Sequence, residues 1–446
     1  MERTDRMEDQ FAKVSERTKQ AEETRIKWSW VEPTVWTDRM LTALEKGVKG
    51  GKWFSLIDKI YNLSNLRSAF AKVKANRGGS GVDRQSIKMF EARLEENLER
   101  LHKELKEGTY KPQAIRRVWL PKPGSREKRP IGIPTVRDRV VQTAIRNVVE
   151  PIFDNEFAEC SFGFRPKRGC KDALRQVYAL VRQGRTIVVD ADLKSFFDTI
   201  PKTLIMKRFR ERVADGRVQE LVESYLNQGV MDGLEIWTPE RGTPQGAVIS
   251  PLLANLCLNP LDHLMTQKGY AIVRYADDFV ILCRSQEEAE QALSVVQEWV
   301  VESGLTLHPE KTRIVDESQP GGFEFLGYRF EKGRKWPRKK SLKKFKDSIR
   351  AKTKRSNGKS LMAIIEDINL TIRGWFEYYK HSNKWTFPEL DAWVRMRLRS
   401  ILRIRHKRKG RGRGLDHNRW PNAFFAKQGL FSLVAAHAQA CQSALR

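Results

Sequence analysis

The chain has only five cysteines, and none of them forms a close pair. Cys160, Cys170, Cys257, Cys283 and Cys441 give neither a zinc-knuckle spacing nor a disulfide framework, which fits a reducing compartment. Cys257 and Cys283 fall in apolar runs and read as buried thiols. No apolar stretch approaches the length of a membrane span, so no membrane partner is expected. The N-terminus, Met1-Glu2-Arg3-Thr4-Asp5, has no hydrophobic signal region and is too acidic for a transit peptide. Internal repeats are absent. Asn357-Gly358-Lys359-Ser360 lacks the upstream glycine of a phosphate loop, because Lys352, Thr353 and Lys354 fill that area, and this excludes a P-loop ATPase. Acidic residues are scarce late in the chain. Residues 334–413 hold 26 Lys or Arg against 6 Asp or Glu, a net +20 of the total +28. A polyanionic partner is the first expectation from that charge. Residues 1–32, with 7 basic and 8 acidic side chains, are close to neutral.

The hydrophobic pattern divides the chain. Residues 1–52 read as helical and loosely anchored, ending at Gly50-Gly51. Leu56, Ile57, Ile60 and Leu63, then Leu66, Phe70 and Val73, recur at helical spacing. Asn76-Arg77-Gly78-Gly79-Ser80-Gly81 breaks the pattern as a basic loop. Ile87, Phe90, Leu94, Leu98, Leu101 and Leu105 predict one long amphipathic helix ended by Gly108. From about residue 115 to residue 330 short strands alternate with helices. Strands are expected over 116–120, 186–190 and 323–330, and Ser250-Pro251 is expected to cap and open a helix through Asn259. Helices are expected over 361–379 and 390–404. A basic tract from Arg405 to Arg413 then precedes an aromatic tail.

Tyr275-Ala276-Asp277-Asp278 lies between two apolar runs that read as strands, Tyr270-Ala271-Ile272-Val273-Arg274 and Phe279-Val280-Ile281-Leu282-Cys283. That is a hairpin signal. Two adjacent carboxylates at its tip fit a hard divalent metal; they also fit a solvated Asp-Asp turn. A second acidic cluster, Asp190-Ala191-Asp192, closes the strand over 186–190 and leads into Phe196-Phe197-Asp198. Two-metal phosphoryl transfer needs carboxylates from separate segments. An Asp-rich helix N-terminus gives the same local pattern. Between the clusters stand Arg241-Gly242-Thr243-Pro244-Gln245-Gly246 and Ser250-Pro251-Leu252-Leu253-Ala254-Asn255. The glycines allow close backbone approach, to a nucleotide or template strand or simply within a loop before a helix.

Taken in order, Asp192 with Phe197, Pro244-Gln245-Gly246, Tyr275-Ala276-Asp277-Asp278, Leu307-His308-Pro309-Glu310-Lys311-Thr312 and Phe325-Leu326-Gly327-Tyr328 resemble the motif series of a reverse transcriptase. Arg373-Gly374-Trp375-Phe376-Glu377-Tyr378-Tyr379 and Arg419-Trp420-Pro421-Asn422 resemble the maturase-specific region of the group II intron-encoded reverse transcriptase/maturases. The resemblance runs nearly end to end. It implies an α+β right-hand polymerase: fingers, a palm with an antiparallel sheet and a helical thumb, plus a basic helical maturase region. The expected divisions are an N-terminal helical extension (1–52), fingers and palm (53–335), thumb and maturase helices (336–404) and a basic maturase/DNA-binding tail (405–446).

The resemblance also implies roles. Asp192, Asp277 and Asp278 match catalytic carboxylates holding two Mg²⁺ ions. Phe197 matches the aromatic gate that excludes a ribose 2′-hydroxyl, although core packing accounts for an isolated Phe equally well. Lys122 and Arg129 match finger residues that grip the triphosphate. Arg165 and Gln245 resemble residues lining the nucleotide and template pocket, and Lys311 the palm lysine near pyrophosphate. Taken singly, these basic residues also suit a solvated surface. Arg77 falls in a loop matching one that lies over template RNA, or in a plain interhelical turn. Trp375, Tyr378 and Tyr379 at helical spacing read as core, leaving the charges as the RNA-binding feature, with salt-sensitive affinity. Implied partners are group II intron RNA, an RNA template with a DNA primer, target DNA and deoxynucleotides, in a bacterial cytoplasm. Nothing in the residues sets an oligomeric state. No His- and Cys-rich cluster of an HNH endonuclease follows the maturase-like tail, so priming from an existing DNA 3′ end is expected. Three other readings remain: a splicing-only RNA binder, a domesticated enzyme of phage defence or CRISPR adaptation, and an RNA-dependent RNA polymerase, which Phe197 disfavours.

Overall fold

The computed structural model describes residues 23–121, 128–408 and 414–443. The chain divides into two compact units. The first takes the chain up to Val177 and again Val189–Arg313; the second takes Tyr178–Val188 and Ile314–Arg446.

The first unit is built around helix Val136–Asp154, which is buried on nearly every face. Its polar side chains serve neighbouring segments rather than water, as buried polar groups must. Gln142 Oε1 accepts from the Val248 N–H at 2.7 Å, and Asn147 Nδ2 donates to Asn65 Oδ1 at 2.8 Å. Helix Leu63–Ala75 packs against it through Leu66, Ala69, Phe70 and Val73. The helix expected over 87–105 is two helices, Ile87–Glu91 and Leu94–Glu107. Arg93, at φ −128° and ψ 46°, leaves the helical region between them without disturbing the apolar stripe, so the pattern hides the break. Gly108 ends the second helix in the left-handed conformation, as expected.

Among the described residues the strands of this unit include β1 (Ile115–Pro121), β2 (Lys128–Ile133), most of β3 (Ile187–Asp192), β4 (Val230–Asp232), β5 (Glu235–Trp237), β6 (Ala271–Tyr275) and β7 (Asp278–Cys283). One sheet has the order β2-β1-β4-β5, with β1 and β2 antiparallel and β1 parallel to β4. In the other, β7 lies between β6 and β3. Helix Ser250–Gln267 runs well past Asn259. Ser250 is not its cap: the Ser250 hydroxyl donates to Pro244 O at 2.9 Å and lies 2.6 Å from Thr243 Oγ1. Cys257 and Cys283 are buried.

β8 (Arg313–Asp316) carries the chain out of the first unit. In the second unit β9 (Phe323–Phe325), β10 (Tyr328–Glu331) and β11 (Arg334–Pro337) form an antiparallel meander. The single strand expected over 323–330 is thus a hairpin. Leu326 at φ +46° and Gly327 at φ +84° make its two-residue turn. Helices Lys339–Lys352, Leu361–Tyr379 and Thr386–Arg405 enclose a core that includes Phe345, Ile368, Ile372, Leu398, Trp420 and Phe425. Trp375 packs 4.8 Å from both Phe345 and Tyr379, so this aromatic row belongs to the core. Trp385 differs, at 65% exposed. Among the described residues, no helix is long and apolar enough to cross a membrane.

Candidate active site

The β6–β7 hairpin closes on two residues. Tyr275 pairs with Asp278, leaving Ala276 and Asp277 as the turn. Ala276 takes φ +59°, as a tight hairpin requires at its first turn position. A side chain there costs about 1–2 kcal/mol, so the surroundings must impose it. Arg274 does much of this. It is fully buried and all five of its N–H groups find acceptors. Nε and Nη2 grip the buried Asp262 carboxylate at 2.5–3.0 Å. Nη1 donates to Asn255 Oδ1 at 2.9 Å and to the Ala276 carbonyl at 2.8 Å, and Nη2 to Ser161 Oγ at 2.8 Å. The segment before Gly163 runs alongside β6, with the Phe162 N–H donating to Arg274 O at 2.9 Å. Gly163 then lies flush on the turn. A Cβ there would sit 2.2 Å from the Ala276 nitrogen and 2.8 Å from the Tyr275 carbonyl carbon, both backbone atoms. Gly163→Ala is therefore expected to shift the hairpin and to cost about 1–3 kcal/mol through overpacking against this backbone. Chemical denaturation measures this.

β3 brings up the second acidic cluster. Asp190 and Asp192, two residues apart on a strand, share a face. Segment 306–311 lines up beside them: the His308 N–H donates to the Asp192 carbonyl at 2.7 Å. Lys311 then reaches the Asp192 carboxylate with its ammonium, and Arg313 lies 3.3 Å from Asp190. Burial pushes the Asp277 carboxyl up from its ordinary value, and the neighbouring Asp192 charge adds to this, while Arg129 and Arg274 pull it back. Asp192 and Asp277 therefore share one electrostatic neighbourhood although 84 residues separate them in the chain. Among the described residues, no three His, Cys, Asp or Glu side chains form a ready-made metal cage. The donor chemistry nonetheless fits a hard divalent cation: the groups are carboxylate oxygens, Asp277 ionises at a cost beside Asp192, and an ammonium sits at Asp192 where a cation would.

Of the aromatic pair after β3, Phe196 is buried and Phe197 is partly exposed. The Pro-Gln-Gly block is tied to it by backbone. The Thr243 N–H donates to Phe197 O at 2.8 Å, and a Cβ on Gly242 (φ +87°) would meet that same oxygen at 2.6 Å. On the other side the Gly132 N–H donates to Gln245 O at 2.6 Å, and a Cβ on Gly246 would lie 2.3 Å from Gly132 O. The close approach that these glycines allow is to the chain's own backbone. It couples the Phe197 segment to the β1–β2 hairpin. Gln245 and Phe197 line a common pocket.

The remaining expected residues fall differently. Arg129 is exposed on β2 and within electrostatic reach of Asp277. Lys122 lies outside the described residues. Arg165 needs correction as a nucleotide contact. It is 7% exposed, and its guanidinium is spent on Asp154 Oδ1 at 2.7 Å and on the carbonyls of Asp154, Ala158 and Ser161 at 2.7–3.2 Å. It locks the end of helix Val136–Asp154, whose carbonyls attract a cation. Arg77 is exposed, in a loop whose Gly79 and Ser80 carbonyls are held by Arg139 and Arg116. Arg274, Asp262 and Gly163 were not singled out from the sequence. A lone arginine inside the apolar run 270–274 was the available signal.

A model described as reverse transcriptase (RNA-dependent DNA polymerase) matches residues 120–330, and one described as group II intron, maturase-specific domain, matches residues 342–420. Protein YkfC of Escherichia coli (strain K12) is 34% identical over 288 residues, 56% of this chain and 75% of that protein. Group II intron-encoded protein LtrA of Lactococcus lactis subsp. cremoris is 28% identical over 327 residues, 58% of this chain and 54% of that protein. The putative COX1/OXI3 intron 1 protein of Saccharomyces cerevisiae is 25% identical over 418 residues, 80% of this chain and 49% of that protein. The chain spans about half the length of these two intron proteins. Its α+β architecture, its paired acidic segments and these matches together make it a member of the reverse transcriptase family that carries a group II intron maturase-specific domain.

Proposed function

We propose that the protein is an RNA-directed DNA polymerase that also binds group II intron RNA, assists its splicing and copies it during intron mobility, in the cytoplasm of a bacterium. The observation that carries the reading is that β3 and β7 are neighbours in one sheet, which brings the Asp192 charge to bear on Asp277 at the hairpin turn. Two Mg²⁺ ions bound by Asp192, Asp277 and Asp278 would activate the primer 3′-hydroxyl and steady the departing pyrophosphate. The side chains do the rest. Arg129, with Lys122, holds the triphosphate by charge-assisted bonds. Lys311, released from Asp192, faces the pyrophosphate. Phe197 sets its ring against the sugar and rejects a 2′-hydroxyl. Arg77 contacts template phosphate. Residues 53–335 act as fingers and palm, residues 336–404 as thumb and maturase helices. The basic surface there and in residues 405–446 binds intron RNA and target DNA.

Primer extension on an RNA template with Mg²⁺ and deoxynucleotides tests the reading, and absence of product overturns it. In the same assay Phe197→Val is expected to raise ribonucleotide incorporation relative to deoxynucleotide by roughly 10–100-fold, the range that small steric differences in a pocket supply.

A further inference from the structure

The N-terminal extension, expected to be loosely anchored, is packed onto the first unit. Trp28, Val35, Trp36, Leu41 and Leu44 are buried, and the Trp36 indole donates to the Asn147 carbonyl at 2.9 Å. Trp53 packs edge-on against Trp36, with ring centroids 5.4 Å apart. Its backbone is fixed on both sides. The Trp53 N–H donates to Arg212 O at 2.7 Å, and the Ala214 N–H donates to Trp53 O at 2.8 Å. Asp215 then accepts from the Leu56 and Ile57 N–H groups at 2.6 and 2.9 Å.

Between these two anchors the chain turns Phe54 outward. Successive side chains of an extended segment point to opposite sides, so Trp53 facing Trp36 leaves Phe54 in water, 64% exposed. Ser55 takes φ +52° to return the chain to Asp215, a conformation that a residue with a side chain adopts only at a cost. A strained backbone that holds an aromatic ring in water points to a functional position. Three lysines precede the ring. Lys46, Lys49 and Lys52 are exposed, and among the described residues their ammonium groups have no hydrogen-bond or ion-pair partner. The adjacent carboxylates are taken: Glu45 by Thr24, Trp28 and Lys27, and Asp58 by Lys59. Gly47 and Gly50 leave the backbone bare, since a Cβ on either would meet nothing within 4 Å.

We propose that residues 46–54 bind an unpaired nucleic-acid strand, with Lys46, Lys49 and Lys52 on its phosphates and one base stacked on Phe54. Lysines neutralise phosphates whatever the sequence, and every base has a face to stack on a ring. Inside a duplex both faces of a base are covered, so the site selects against paired strands. A docking protein fits less well. Phe54 is the only exposed large apolar side chain among residues 46–59, whereas protein interfaces use contiguous apolar patches of roughly several hundred Å². The proposal rests on the reading of the chain as a binder of nucleic acid, and adds a site whose residues take no part in polymerisation. RNA and a displaced DNA strand share this chemistry.

Fluorescence anisotropy of the full chain tests this, with a labelled unpaired strand of about 12 nucleotides, as RNA or as DNA, and with the blunt duplex of the same sequence. Phe54→Ala is expected to weaken the unpaired strand roughly 5–100-fold at every salt concentration, to leave the duplex unchanged, and to keep the salt slope. Phe54→Trp restores affinity. Lys49→Met instead lowers the slope of log affinity against log salt by about 0.7. The RNA and DNA arms assign the source: a loss confined to RNA assigns RNA, and a loss confined to DNA assigns the displaced strand. Photocrosslinking of a strand carrying thiouridine, followed by mass spectrometry, places the contact on the peptide that contains Phe54. Absence of that adduct overturns the proposal. So does a Phe54→Ala variant that binds the unpaired strand as tightly as the wild type, or that loses strand and duplex equally. Phe54→Ala should extend a primer–template as the wild type does, so failure here leaves the polymerase reading standing. The binding assay involves no polymerisation, so failure of primer extension leaves this test intact.

Discussion

Replacing Asp277 and Asp278 together by alanine is expected to cut RNA-templated primer extension at least about 1,000-fold while leaving the fold intact. The loss is large because nothing nearby replaces their oxygens. Asp192 is already counted as a ligand of the same proposed centre, and Asp190 lies near Arg313. The fold is expected to survive because the backbone register and the contacts of Arg274 and Gly163 hold the hairpin. Its register runs from Ala271 opposite Leu282 to Tyr275 opposite Asp278, and its turn is held by Arg274 and Gly163. The sign of the electrostatics agrees. A carboxyl whose folded pKa is raised above its unfolded value favours the folded state at low pH and opposes it as pH rises through the carboxylate range. Asp277 is raised by burial and by Asp192, so at neutral pH its ionised form works against stability and alanine relieves it. The thermal midpoint should hold or rise while extension disappears. A variant retaining full extension would move the chemistry elsewhere.

The second large effect concerns a residue that touches no substrate. Arg274→Met strands the Asp262 carboxylate, fully buried and stripped of its partner, and is expected to cost about 3–5 kcal/mol in chemical denaturation. The double variant Arg274→Met with Asp262→Leu should recover most of that stability, because an apolar pair of similar volume replaces a buried ion pair at little cost. Activity should not follow stability back. The Ala276 carbonyl loses its donor in both variants, and Asp277 hangs on that turn. A double variant that regains stability and also full extension would show that Arg274 contributes packing alone.

The acidic hairpin was legible because its neighbours are so regular. Two β-branched runs around four residues leave little choice but a two-residue turn, and Asp192 stands where a buried strand ends. What the pattern concealed is instructive in physical terms. Arg93 interrupts a helix without disturbing the spacing of Phe90, Leu94 and Leu98, so periodicity carries no trace of the break. Leu326 occupies a left-handed turn position where an apolar residue reads as strand. Arg165 looks like any surface cation until the fold gathers the Asp154, Ala158 and Ser161 carbonyls around it. Glycines 163, 242 and 246 matter because of the backbone each one meets, and those meetings are long-range. Local chemistry was readable, whereas contacts that form only on folding were not.

Carboxylates from β3 and from the β6–β7 hairpin are proposed to form one metal centre. The direct measurement is a count of bound Mn²⁺ by electron paramagnetic resonance, on protein with an RNA template, a dideoxy-terminated DNA primer and the matching deoxynucleotide. Two ions per complex are expected, a stoichiometry set by two-metal phosphoryl transfer, with a reduced count in Asp192→Asn and in Asp277→Asn alike. A count unchanged by either substitution would contradict it.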